Sequence, residues 1–119
     1  MSPTARVAVV QAAPVPFDTA ATVDKVVALT REAAGQGAQL VLFPEAYVGG
    51  YPWGLAFGTA VGGRSDPGRR TWERYWNGAV DVPGPETEAF GAVARATQRL
   101  GGEARLDAVI RAGLQELAR

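Results

Sequence analysis

The sequence predicts an α/β protein that opens with a βαβ unit and ends in helices. Three observations carry this reading: two short apolar runs, Val7 to Val10 and Leu40 to Phe43; helical periodicity between them; and two amphipathic stripes after Pro85. At 119 residues the chain has room for one domain and not for two full ones.

Val7, Val9 and Val10 are β-branched and Ala13-Pro14-Val15-Pro16 follows them. The first run therefore reads as a short buried strand ending near Gln11 or Ala12 in a proline-stiffened loop. Asp18 or Thr19 can cap a helix on which Val23, Val26, Val27 and Ala34 share a face. Thr30 is a half-polar interruption of that stripe, Leu29 and Ala33 widen it, and Gly35 and Gly37 supply the stop. Leu40 to Phe43 is apolar at every position, as suits a strand covered on both faces, and the order strand, helix, strand implies a right-handed parallel crossover.

From Pro44 to Pro85 the pattern loosens into a long loop region in which repeated glycines separate aromatic residues. Within it a short helix begins at Ser65 or Asp66 with Pro67 in its first turn. It sets Trp72, Tyr75 and Trp76 on one face, and three aromatics on one face indicate burial. Pro85-Glu86-Thr87-Glu88 has the form of a helix first turn, with proline at its first position and acids at the positive end of the dipole. Phe90, Val93, Ala94 and Thr97 follow on one face. Beyond Gly101-Gly102, Leu106, Val109, Ile110, Leu114 and Leu117 form a further stripe.

Composition excludes more than it includes. The chain is 47% hydrophobic and 20% charged, ordinary for a folded domain, and its 12 Lys plus Arg balance 12 Asp plus Glu. No global field draws in nucleic acid or an anionic membrane, so neither is expected as a partner. With no Cys and no His, the chain can form no disulfide, no Cys/His zinc site, no thiol nucleophile and no imidazole-based triad. No metal and no cofactor are expected. The apolar runs fall far short of the ~18 residues that span a bilayer and of a signal-peptide core, so a cytoplasmic location is expected.

In open α/β folds functional groups gather beyond the carboxyl ends of parallel strands, and Glu45 stands one proline past the second strand. Held beside Phe43 and Tyr47, its carboxylate would be partly desolvated, which suits proton transfer. Position alone leaves a second possibility open, that Glu45 caps or bridges a loop.

The stretch from Gly37 to Pro52, with Leu40-Val41-Leu42-Phe43-Pro44-Glu45-Ala46-Tyr47 at its centre, resembles the signature around the first catalytic residue of the nitrilase superfamily of carbon-nitrogen hydrolases. Gly49-Gly50-Tyr51-Pro52, Gly62-Gly63-Arg64-Ser65, Arg74-Tyr75-Trp76 and Asp81-Val82-Pro83-Gly84-Pro85-Glu86-Thr87 resemble the nitrilase branch itself. The opening Val7-Ala8-Val9-Val10-Gln11-Ala12-Ala13-Pro14 is also similar to the way these enzymes begin. The likeness runs from about Arg6 to about Gln98.

This resemblance implies an αββα sandwich and a Glu-Lys-Cys hydrolase acting on a small-molecule nitrile or amide. Glu45 matches the general base, and Tyr51 and Trp53 would line the substrate pocket beside it. The Cys would attack the C≡N carbon to form a thioimidate, and the Lys would stabilise the charged intermediates. The chain departs from the family here: it has no Cys, and its single Lys, Lys25, lies on the first helix, well before the position of the family's Lys. The sandwich is expected to be incomplete, with residues 5–98 as the N-terminal part of the hydrolase domain. Residues 99–119 read as a divergent helical tail produced by deletion, frameshift or fusion. The chain alone is then expected to be inactive, or to serve as an oligomerisation module associating with itself or with a full-length nitrilase, or to be one half of a split enzyme.

Other signals are weaker. Arg64, Arg69, Arg70 and Arg74 interleave with Trp72, Tyr75 and Trp76 in a way that superficially suits single-stranded nucleic acid. Zero net charge and helical spacing favour core packing with solvated arginines instead. No Gly-rich segment ends in the G-K-[ST] of a phosphate loop. Glu86 and Glu88 suit a helix first turn better than a hydrolytic dyad, and Ser65 suits a cap.

Overall fold

Strands β1 (Val7–Val9) and β2 (Leu40–Leu42) pair in parallel across helix α1 (Thr19–Gly35), with Val7 opposite Leu40, Ala8 opposite Val41 and Val9 opposite Leu42. This computed structural model describes residues 4–50 and 65–98, and helices α2 (Asp66–Asn77) and α3 (Pro85–Gln98) complete it. The pairing runs one residue past each end of the ladder: the Gln39 N–H donates to the Arg6 carbonyl and the Val10 N–H to that of Leu42, both at 2.8 Å. The expected βαβ opening and the helices after it are both present.

Helices α1 and α2 start where their capping residues dictate. The Asp18 carboxylate accepts from the Ala21 N–H at 2.9 Å, and the Ser65 hydroxyl from the Gly68 N–H at 3.3 Å, with Pro67 in the first turn of α2. The chain leaves α1 through Gly37 at φ +85°, where a Cβ would lie 2.7 Å from Arg6 Nη1. That guanidinium donates to the Gln36 carbonyl at 3.1 Å, so the turn is closed by the chain entering β1.

The core lies on one side of the sheet. Val26, Val41, Phe43, Tyr47, Val48 and Phe90 form a single buried cluster, and α1 packs against α3. The buried line on α1 is Thr22, Val26 and Thr30, and on α3 it is Phe90, Val93 and Thr97. Thr30, expected as an interruption, is thus inside the helix seam. Threonine is tolerated there because its hydroxyl can bond within its own helix, as that of Thr97 does to the Val93 carbonyl at 2.9 Å.

Two expectations are overturned. The strands are not covered on both faces: Val9 is 67% exposed, Val7 49% and Leu42 38%, whereas Val41 is fully buried. Residues two apart on a strand share a face, and both α1 and α3 lie on the Val41 face. The α2 aromatics are not buried in the core either. Trp76 is 56% exposed and Trp72 36%, and the rings pack on one another, Trp72 lying 5.9 Å from Trp76 and 6.1 Å from Tyr75 between centroids. Aromatic spacing on a helix predicts that the rings meet; it does not supply a second surface to cover them. No helix among the described residues is long and apolar enough to cross a membrane. The expected helical stripe from Leu106 to Leu117, with the rest of the proposed tail, lies outside the described residues.

Candidate active site

The carboxyl ends of β1 and β2 open into two loops that are stitched to each other. After β2, Phe43 and Pro44 lead into a turn segment over Glu45 to Gly49, whose second half is closed by the Gly50 N–H donating to the Tyr47 carbonyl at 3.2 Å. Phe43, Tyr47 and Val48 turn into the core, with the Phe43 and Tyr47 rings 5.4 Å apart. Glu45 stands between them in sequence and points the other way, so its side chain is exposed. The partial desolvation expected from its two aromatic neighbours is therefore not what Phe43 and Tyr47 provide: both rings are spent on the core. Among the described residues the Glu45 carboxylate makes no hydrogen bond or ion pair.

The turn is held under strain. Ala46, next to Glu45, has φ +52°, a left-handed conformation that costs a residue with a Cβ about 1–2 kcal/mol. Gly50 at φ +68° meets the same demand without that cost. Such a turn persists only where its surroundings fix it. Tyr47 is one anchor: it is 2% exposed and its hydroxyl donates to the Ala13 carbonyl at 3.2 Å. Burial pushes the Tyr47 phenol above its usual pKa.

The loop that receives this bond is itself pinned to α1. The Lys25 ammonium donates to the same Ala13 carbonyl at 2.7 Å, and the Thr22 hydroxyl both accepts from the Val15 N–H and lies within bonding distance of the Val15 and Asp18 carbonyls. Sequence reading named Lys25 only as a residue out of place for catalysis and did not single out Ala13 or Thr22. Backbone carbonyls carry no sequence signal, and the one available hint was a lysine on the helix directly after a proline-bounded loop.

Helix α2 comes to the same end of the sheet. The Thr19 hydroxyl donates to the Gly78 carbonyl at 2.8 Å, joining the start of α1 to the end of α2, and the Arg74 guanidinium lies 4.0 Å over the Phe17 ring. Phe17 has φ +57° and with Ala46 is one of two non-glycine left-handed residues among the described residues, also in a loop at the carboxyl ends of the strands. Tyr51 and Trp53 lie outside the described residues. Glu86 and Glu88 sit in the first turn of α3, as expected of dipole partners.

The described residues form an open parallel βαβ unit of an α/β protein with an exposed carboxylate on the loop past the second strand, and sequence comparison gives the chain a family. The chain belongs to the carbon-nitrogen hydrolases, whose family model matches residues 6–100. Among its relatives is the bifunctional nitrilase/nitrile hydratase NIT4B of Nicotiana tabacum, 50% identical over 93 residues, which are 78% of this chain and 27% of the relative. The aliphatic nitrilase of Sinorhizobium fredii is 51% identical over 89 residues, 75% of this chain and 29% of its own length. Nitrilase 1 of Arabidopsis thaliana is 49% identical over 94 residues, 79% and 27% respectively. The chain thus spans less than a third of the length of the curated relatives it matches.

Proposed function

We propose that this chain carries the general-base portion of a nitrilase-type hydrolase, with Glu45 as the base, acting on a small-molecule nitrile or amide. Residues 5–98 are then the amino-terminal part of the domain and residues 99–119 lie beyond it. The observation that carries the reading is the exposed Glu45 carboxylate on a strained turn at the strand ends, in a chain about half identical to nitrilases over that segment. In such a reaction the base takes the thiol proton as sulfur adds to the nitrile carbon. It then activates water, so that ammonia and the acid leave in turn. The chain holds no Cys and only Lys25, so nucleophile and oxyanion-stabilising Lys come from outside these 119 residues, and the chain alone turns over no nitrile.

The test replaces the matching segment of the Sinorhizobium fredii aliphatic nitrilase with residues 6–98. Ammonia release from an aliphatic nitrile is expected to survive the exchange and to fall about 10²–10⁴-fold on Glu45→Gln. A Gln variant as active as its parent overturns the assignment, and ammonia release by the 119-residue chain alone overturns its inactivity.

The bare face of the β1–β2 sheet favours a further element of the reading. An apolar sheet face needs a second layer, which supports placing Val7, Val9, Leu40 and Leu42 at the interior of an αββα sandwich. In the chain alone that face would drive association with itself or with a polypeptide carrying the rest of the domain. Light scattering showing a lasting monomer, together with no gain of activity on mixing with the complementary part of a nitrilase, would count against it.

A further inference from the structure

We propose that Lys25 is a positioning residue for Glu45, acting through the Ala13 carbonyl. The inference rests on the reading of Glu45 as the base and adds how that base is held. Two donors from different elements converge on one acceptor: Lys25 Nζ from α1 at 2.7 Å and the Tyr47 hydroxyl from the Glu45 turn at 3.2 Å. A carbonyl oxygen has two lone pairs, and both are used. The result is a bridge from the middle of α1, through the first loop, to a residue two positions from Glu45.

The geometry explains why such a bridge is needed. Ala46 is held in a left-handed conformation that relaxes if the turn is released, and relaxation would swing the neighbouring Glu45. Tyr47 can hold the turn only if the loop it grips is fixed. Ala13 itself is exposed, and no backbone partner within the described residues holds its carbonyl. Lys25 supplies that fixation with a charge-assisted bond, the stronger kind, while Thr22 secures Val15 two residues on. Lys25 spends a donor on a backbone carbonyl and acts through the loop that carbonyl belongs to, which makes it a positioning residue and not a catalytic one.

The test uses the 119-residue chain and the substituted nitrilase described above. In the chain, amide hydrogen exchange is read at Gly50, whose N–H bonds the carbonyl of Tyr47 just after Glu45, and at Thr97 in α3 as a control remote from the loop. Lys25→Met is expected to speed exchange at Gly50 about tenfold and leave Thr97 unchanged, and Lys25→Arg to restore protection. Equal acceleration at both amides means a general loss of stability and overturns the proposal, as does no change at Gly50. Tyr47→Phe, which removes the other donor, is expected to reproduce the effect at Gly50. In the substituted enzyme Lys25→Met is expected to lower kcat about tenfold with KM unchanged, again restored by Arg. An unchanged kcat beside a dead Glu45→Gln variant overturns the positioning role while the base stands. If Glu45→Gln is itself active, the base reading fails, and the exchange result alone then decides whether Lys25 fixes the turn.

Discussion

The two faces of the β1–β2 sheet are built from nearly the same residues and meet opposite fates. On one face Ala8, Val10, Val41 and Phe43 pack against Val26 of α1 and Phe90 of α3, and Val41 is sealed from solvent. On the other, Val7, Val9 and Leu42 are exposed and Leu40 is half-buried. Apolar content therefore does not decide burial here. What decides it is that both helices fall on the same side, so the second face waits for a layer that α1 and α3 do not provide. Burying a Val or Leu side chain fully is worth roughly 1.5–3 kcal/mol, so covering four such residues is a large driving force for association.

The sharpest way to break this comparison is to charge one residue on each face. Val41→Asp places a carboxylate where no partner exists, at a cost of more than about 4 kcal/mol against a total stability on the order of 5–15 kcal/mol. The expected outcome is loss of a cooperative urea transition followed by circular dichroism. Val9→Asp on the outer face should leave that transition nearly in place. Equal damage from both would mean that the outer face is covered in solution.

A smaller effect sharpens the same contrast. Phe90, 6% exposed, reaches the sheet from α3, and Phe90→Ala should cost about 3–5 kcal/mol in urea unfolding. Trp76→Ala on α2 should cost less than about 1 kcal/mol, because the ring rests on Trp72 rather than in the core. The two substitutions remove large aromatics at similar helical spacing, so the difference measures the packing surface and not the residue type.

Much of this was legible in the residues. The caps Asp18 and Ser65, the glycine exit at Gly37, the acidic first turn of α3 and the parallel pair of strands each follow from local chemistry that needs no tertiary context. The position of Glu45 past the second strand was legible for the same reason. Its exposure was not, because strand alternation would set Phe43, Glu45 and Tyr47 on one face, and it is the turn after β2, with Ala46 at positive φ, that departs from that pattern. That a two-stranded sheet leaves much apolar surface uncovered was legible; which face stays bare, and that the α2 aromatics stay open, were not, because a pattern shows which side chains seek cover and coverage depends on elements elsewhere. The bond Lys25 makes was illegible because its partner is a carbonyl, which every residue has.

The smallest expected effect concerns pH and returns to the turn that carries Glu45. Burial raises the folded-state pKa of Tyr47 above the value of about 10 that the unfolded chain would show. The folded chain thus holds this proton to higher pH than the unfolded one, and the associated stability is intact below about pH 10. Above that, the unfolded phenol ionises first, and stability falls with each rise in pH until the folded phenol ionises as well. Ionisation also removes the O–H that donates to Ala13, leaving a phenolate against a carbonyl oxygen. Unfolding midpoints measured from pH 8 to 11 should therefore decline more steeply at the alkaline end in the parent than in Tyr47→Phe, which has no proton to lose at this site. Absorbance at 295 nm gives the independent reading: of the chain's three tyrosines, the component lost in Tyr47→Phe should be one that titrates above about pH 10. Parallel declines in the two proteins would show that the phenol is not held against Ala13, and the bridge from α1 to the Glu45 turn would lose one of its two donors.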